Sequence, residues 1–314
     1  MMNTMIFGNI AGVNKKISKL ILGNENQRIY SKAIKLWDWW FENGGNTFDN
    51  SMYYSEGRLE SFLGDWMKSR GLQKQIVSIT KGGEQNTEPV HYSELIKKSL
   101  ERLKLDCLDI FILHHYNPKV PSSEIIDALN KQVDKGLIKS FGVSNWEKNK
   151  FSDAMAWCKK NKKNTPSLLN NNFSLAQMIK PMWSDSISSN NTNFLKYLRQ
   201  YKQPHFSWSS QARGFFIKEV FFKKILRRKF NKYLKNCFYS KENFERKRRA
   251  FQKSIEYNCS TNEIALSWVV NQKFPSFAII GPKNIEQLKQ SIKSVNIKLT
   301  NEEIGWLNLE NNSL

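Results

Sequence analysis

The chain has 314 residues, 40% of them hydrophobic and 13% aromatic, and carries 49 Lys and Arg against 28 Asp and Glu for a formal net charge of +21. That apolar content excludes an intrinsically disordered chain, and the length fits one large barrel domain spanning residues 1–314. No run approaches the roughly 18 apolar residues of a membrane helix, so no membrane association is expected.

In chain order, short apolar runs alternate with longer amphipathic ones. SKLILG (18–23) reads as a strand and QRIYSKAIKLWDWWFENG (27–44) as a helix stopping at Gly44. NTFDN (46–50) is a strand, followed by a helix, GRLESFLGDWMKSRG (57–71), closed by Gly71. QIVSITK (75–81) and HYSELIKKSLERLKL (91–105) form the third pair, CLDIFILHH (107–115) and SSEIIDALNKQVDKG (122–136) the fourth. IKSFGVSN (138–145) precedes a helix at KFSDAMAWCKKN (150–161). SLLNNNFSL (167–175) is the sixth strand, with a poorly marked helix running to about Tyr201. HFSWSS (205–210) is the seventh, TNEIALSWVVNQ (261–272) a helix, SFAIIG (276–281) the eighth strand and NIEQLKQSIKSV (284–295) the last helix. Eight strand–helix units whose strands are apolar on both faces predict an α/β (β/α)8 TIM barrel. The absence of GxGxxG after the first strand weighs against a Rossmann fold. The connection between Ser209 and Ser260 is far longer than its neighbours and reads as a long loop after the seventh strand, of the kind that forms lids.

Cys107, Cys158, Cys237 and Cys259 are scattered without a CxxC, and the four histidines have no metal-ligand spacing, so neither a disulfide framework nor a metal site is expected. The N-terminus lacks a basic stretch leading into an apolar core, which makes a cytoplasmic location the expectation. The positive charge accompanies a Lys/Asn bias, as in KKNKKNTPSLLNNN, and no nucleic-acid motif or aromatic–basic interleaving appears. Specific nucleic-acid binding is therefore not expected, although 221–251 is dense enough in basic residues to be a candidate patch.

A barrel keeps its chemistry at the C-terminal ends of its strands. Asp49 ends the second predicted strand, Lys81 the third and His114 the fourth, with Tyr54 in the loop after Asp49. Each alone would ordinarily be a turn, loop or satisfied core residue, but the four converge on one rim. A phenol ionises near ~10, and an ammonium beside it favours the phenolate. A carboxylate fixes that ammonium, and a histidine orients a substrate oxygen. The set delivers a proton to a carbonyl oxygen and contains no nucleophile, so the electrons must come from a hydride cofactor.

These stretches resemble the aldo-keto reductase family. FDNSMYYSEGRLE is similar to its aspartate–tyrosine motif, SITKGG to its lysine strand, LDIFILHH to its histidine strand and GVSN to its carboxamide contact. FSWSSQARGFF and AIIGPKNIEQLKQS resemble its seventh-strand and C-terminal cofactor segments, so the likeness runs in order from about Lys19 to Ser291. The resemblance implies Tyr54 as general acid, Asp49 and Lys81 as its support, and His114 as the substrate-orienting residue. The family spacing selects Tyr54 over Tyr53, and family position together with strand alternation selects His114 over His115. It further implies Ser144, Asn145 and Asn170 on the nicotinamide carboxamide, Trp208 stacked on the ring, and Gly281, Pro282, Lys283, Gln287 and Gln290 near the phosphates. NADPH is the implied cofactor, with NADH not excluded because Gln287 stands where many relatives carry arginine. A small-molecule carbonyl is the implied substrate. The alternative is a cofactor-sensing, channel-subunit-like protein with weak catalysis. Residues 1–18 show no obvious strand pair of the kind that plugs the barrel floor in many members. The pattern specifies neither an oligomeric state nor a substrate.

Overall fold

The computed structural model describes residues 5–217 and 234–311. A two-stranded antiparallel hairpin, β1 (Phe7–Gly8) and β2 (Ile17–Ser18), precedes the barrel. The barrel strands are β3 (Leu20–Gly23), β4 (Thr47–Ser51), β5 (Val77–Gly82), β6 (Leu108–Leu113), β7 (Ile138–Ser144), β8 (Leu168–Asn170), β9 (His205–Ser207) and β10 (Ser276–Ile280). Every neighbouring pair is parallel, and β10 pairs with both β9 and β3, which closes the ring. The helices on its outside are α1 (Tyr30–Glu42), α2 (Arg58–Arg70), α3 (Tyr92–Leu103), α4 (Ser122–Asp134), α5 (Lys148–Asn161), α6 (Thr192–Tyr201), α7 (Lys241–Glu256), α8 (Thr261–Val270), α9 (Ile285–Asn296) and α10 (Asn301–Leu307). The predicted (β/α)8 barrel is the observed one.

Alternation along the strands divides the core in two. Ile21, Val77, Ile79, Ile110, Ile112, Leu168, Phe206 and Phe277 fill the inside of the ring together with Ile10, Val13 and Ile17. Their neighbours Leu20, Leu22, Phe48, Phe111 and Leu113 face out under the helices, where Trp37, Trp40 and Trp66 are fully buried. Gly64 on α2 brings that helix against α3, because a Cβ there would lie 2.3 Å from the Arg102 carbonyl oxygen.

Four expectations need correction. The floor plug is present: the hairpin's Ile17 and the turn's Ile10 and Val13 close the barrel bottom. The pair escaped the sequence pattern because each strand is two residues long and draws its stability from packing. The turn is tied down by Lys15, which donates to the Ile76 carbonyl at 2.5 Å and pairs with Asp109 at 2.8 Å. Second, the sixth strand stops at Asn170, beyond which Asn172 makes two isolated bridges, to Ser188 and Trp208. Third, the connection from 209 to 260 is not simply a loop, since α7 occupies 241–256, capped by Ser240. Of the described cations of the basic patch, Arg246 and Arg249 turn inward, Arg249 donating to the carbonyls of Trp306 and Asn311, while Lys235, Lys241 and Arg248 stay exposed; just beyond the patch, Lys253 pairs with Glu256 and Glu303. The remainder of that patch, through residue 233, lies outside the described residues. Finally, α10 adds a helix after the one expected to be last, started by a capping box between Thr300 and Glu303.

Candidate active site

The C-terminal strand ends open into a cavity of about 1360 Å³. Register places the first two residues of the predicted set. Asp49 lies opposite Ile79, and Ser51 opposite Lys81, so all four face the inside of the ring. Lys81 Nζ donates to both Asp49 carboxylate oxygens at 2.5 Å, with both residues at most 3% exposed. Burial works against the ammonium, but Asp49 and Tyr54 outweigh it and hold the Lys81 pKa above its ordinary value. Burial pushes the Asp49 carboxyl up, against the opposing pull of Lys81.

Tyr54 follows at a turn in which its N–H donates to the Ser51 carbonyl, and Ser55, Glu56 and Gly57 take positive φ before α2 begins. Lys81 Nζ stands 5.5 Å from the centroid of its ring. Burial raises the phenol to about 12, although Lys81 pulls the other way. The net direction is opposite to the lowering expected from the ammonium alone, because desolvating a phenolate costs more than the paired lysine returns. The consequence is a phenol fully protonated at neutral pH.

Tyr53 takes a different course. Its hydroxyl accepts from the Gly83 N–H at 3.1 Å, and the residue is 37% exposed. Tyr54 lines the cavity and meets His114 edge-on, with centroids 6.5 Å apart. His114 is 3.3 Å from the Ser51 hydroxyl through Nδ1. Burial first, then Lys81 and His115, drives its pKa well below the usual imidazole value, so the ring is neutral. The alternation argument for His114 over His115 does not hold here: β6 ends at Leu113, and both imidazoles line the cavity. His115 instead pairs through Nδ1 with Asp185, on the connection between β8 and α6.

The residues expected around a nicotinamide line the same cavity: Ser144, Asn145, Asn170 and Trp208. Ser144 Oγ donates to the Asn170 carbonyl at 2.7 Å. Asn145 takes φ 57° and accepts from the Ile187 N–H. Asn170 Nδ2 donates to the Phe206 carbonyl at 2.7 Å, while its buried Oδ1 has no partner among the described residues. Trp208 is half-buried, its ring 5.7 Å from that of Trp183.

At the other end are Gly281, Pro282, Lys283, Gln287 and Gln290. Asn284 caps α9 by accepting from the Gln287 N–H, and Gln287 Oε1 accepts from the Lys283 N–H at 2.9 Å. Gln27 and Asn26 hold the Pro282 and Gly281 carbonyls, fixing the turn against the end of β3. Sequence reasoning missed Arg28 and Asn262 here, and Glu25, Trp183 and Asp185 elsewhere on the rim. None sits at a strand end or in a spaced motif. Arg213 belonged to the SSQARG stretch that prompted the resemblance, and it lines the cavity too.

The model of the "Aldo/keto reductase family" matches residues 20–308. The chain belongs to the aldo/keto reductase family. It is 25% identical over 294 residues to "Aldo-keto reductase yakc [NADP(+)]" of Schizosaccharomyces pombe, a match covering 89% of this chain and 80% of the relative. With the "Probable aryl-alcohol dehydrogenase AAD4" of Saccharomyces cerevisiae it shares 26% over 298 residues, 88% of this chain and 86% of the relative. Among solved structures, the thermostable aldo-keto reductase Tm1743, in complex with the inhibitor epalrestat, superposes with TM-score 0.75 at 18% identity, covering 98% of this chain and 100% of the other. An aldo-keto reductase from Klebsiella pneumoniae in complex with NADPH gives TM-score 0.70 at 18% identity, covering 99% and 95%.

Proposed function

We propose that the protein reduces an aldehyde or ketone to the alcohol with NADPH, Tyr54 giving its proton to the carbonyl oxygen. The observation that carries this reading is that Asp49, Tyr54, Lys81 and His114 open into one cavity with Ser144, Asn145, Asn170 and Trp208. The yeast relative named for NADP(+) and the Klebsiella structure with NADPH favour that cofactor. The cavity's own residues suit it. The Asn170 Oδ1, without a partner among the described residues, is an acceptor for an amide N–H, and Trp208 offers a flat ring in the same cavity. The capped start of α9 beside Lys283, with Arg28 and Arg213, suits phosphates. When bound, NADPH supplies the hydride for the carbonyl carbon.

The chain's residues supply the rest. His114, neutral and held by Ser51, orients the carbonyl oxygen. Tyr54 enters each turnover protonated and releases its proton as negative charge grows on that oxygen. Lys81, fixed by Asp49, stabilises the phenolate left behind.

A panel of aldehydes and ketones followed by NADPH absorbance, with NADH in parallel, tests the reading. Oxidation of NADPH that depends on a carbonyl and outpaces that of NADH is the expected result. NADPH binding without turnover of any carbonyl would instead indicate a cofactor-sensing protein.

A further inference from the structure

One side of the cavity mouth carries a polar device that the proton-delivery set does not use. His115 lies beside His114, ring centroids 4.6 Å apart, and its Nδ1 is held by the Asp185 carboxylate. The two residues come from different connections, one following β6 and the other following β8, so the pair ties these segments together across the rim. Both side chains are about one-quarter exposed and line the cavity. Nearby, Asn117 donates to Glu88 at 2.8 Å and also lines the mouth. This arc is hydrogen-bonding, whereas Trp183 and Trp208 form an apolar wall.

Resting on the reductase reading, we propose that His115, positioned by Asp185, is a specificity residue that selects carbonyl substrates bearing a hydroxyl group close to the carbonyl carbon. An ionised carboxylate only accepts hydrogen bonds, so Nδ1 carries the hydrogen and Nε2 is the end left for a ligand. No hydrogen bond to that Nε2 is present among the described residues. On a neutral ring Nε2 accepts; on a charged ring it donates. A hydroxyl satisfies either state, because it both donates and accepts. A plain alkyl or aryl group satisfies neither and would desolvate the pair without compensation. The adjacency of His115 to His114 puts this contact within a few bonds of the reacting carbonyl. Asp185 acts through the histidine by fixing its ring and tautomer.

Glyceraldehyde and propanal form a matched pair, with and without hydroxyls on the same carbon chain. The wild-type protein is expected to show kcat/KM about 10-fold higher for glyceraldehyde, the value of roughly one hydrogen bond. His115→Phe, which keeps an aromatic ring, is expected to collapse that ratio towards one. Asp185→Asn is expected to reduce it partway, mainly through KM for glyceraldehyde. The preference is also read without turnover, from the binding of glycerol against 1-propanol to the NADP-loaded protein, followed by tryptophan fluorescence. Equal affinity for the two alcohols in the wild type, or a glyceraldehyde-to-propanal ratio unchanged in His115→Phe, overturns the inference. Absence of turnover with both aldehydes overturns the reductase reading instead, while the alcohol affinities still decide the role of His115.

Discussion

At the scale of single residues, burial moves two ionisations of the site further from the working pH. Burial carries Tyr54 up to about 12 and His114 well below its usual range. On the proposed reading, Tyr54 is then the protonated acid and His114 the neutral orienting group throughout the neutral region. The expected profile of kcat/KM for reduction is flat from about pH 6 to about pH 9. An inflection near pH 6.5 that disappears in His114→Gln would contradict the assignment of a neutral imidazole. The four candidate residues were legible in the sequence because Lys81 and His114 sit at or beside strand ends that apolar runs reveal, whereas Asp49, expected to end its strand, lies mid-way along β4, which continues to Ser51, with Tyr54 in the turn beyond. The net direction of the tyrosine shift was not legible, since composition shows which charges are near but not how much water is removed. The same holds for His115 and Asp185: 70 positions separate them, and nothing in the spacing announces the pair.

At the scale of elements, the floor hairpin consists of two-residue strands, and its turn is tied to the barrel through one buried charge. Asp109, 2% exposed, is shared by Lys15 from the turn and Lys139 from β7, both at 2.8 Å, and by the Ser78 N–H. Burial alone would raise its pKa, but the hydrogen bonds from Lys139, Lys15 and Ser78 hold it below the ordinary carboxylate value. A depressed folded-state pKa contributes stability above the unfolded pKa, near ~3.9, and that contribution is lost as pH falls through the folded value. Asp109→Asn is therefore expected to cost about 1–3 kcal/mol at pH 7 by urea denaturation. The difference from wild type should shrink below about pH 4. A cost independent of pH would mean that the side chain acts by packing alone. The eight strands and most helices were readable from periodicity, whereas this hairpin was not, because two-residue strands carry no period. The capping box at Thr300 was a readable signal for α10, although the apolar run behind it is short.

At the scale of the whole molecule, the +21 charge is the feature most open to misreading. On α7 the basic residues Arg246, Arg249 and Lys253 are each at most 8% exposed. Arg249 binds the Trp306 carbonyl in α10 and the Asn311 carbonyl after it, and Lys253 pairs with acids. These three cations are struts between outer helices, unavailable to a polyanion, while Lys241 and Arg248 on the same helix are exposed and dispersed among acids such as Glu242 and Glu245. Retention on DNA should accordingly be weak and sequence-independent, falling steeply between about 50 and 200 mM salt. Sequence-selective retention surviving at the upper end would show a dedicated surface. The barrel itself was legible at this scale because eight repeated units leave few alternative closures.

The central claim is that the Tyr54 phenol is the proton source for a carbonyl reduced in this cavity. The most direct test compares wild type with Tyr54→Phe for aldehyde reduction and, in the same samples, for NADPH affinity. Loss of kcat by about 10²–10⁴-fold with cofactor affinity unchanged is the predicted result. Equal turnover by the two proteins would contradict it.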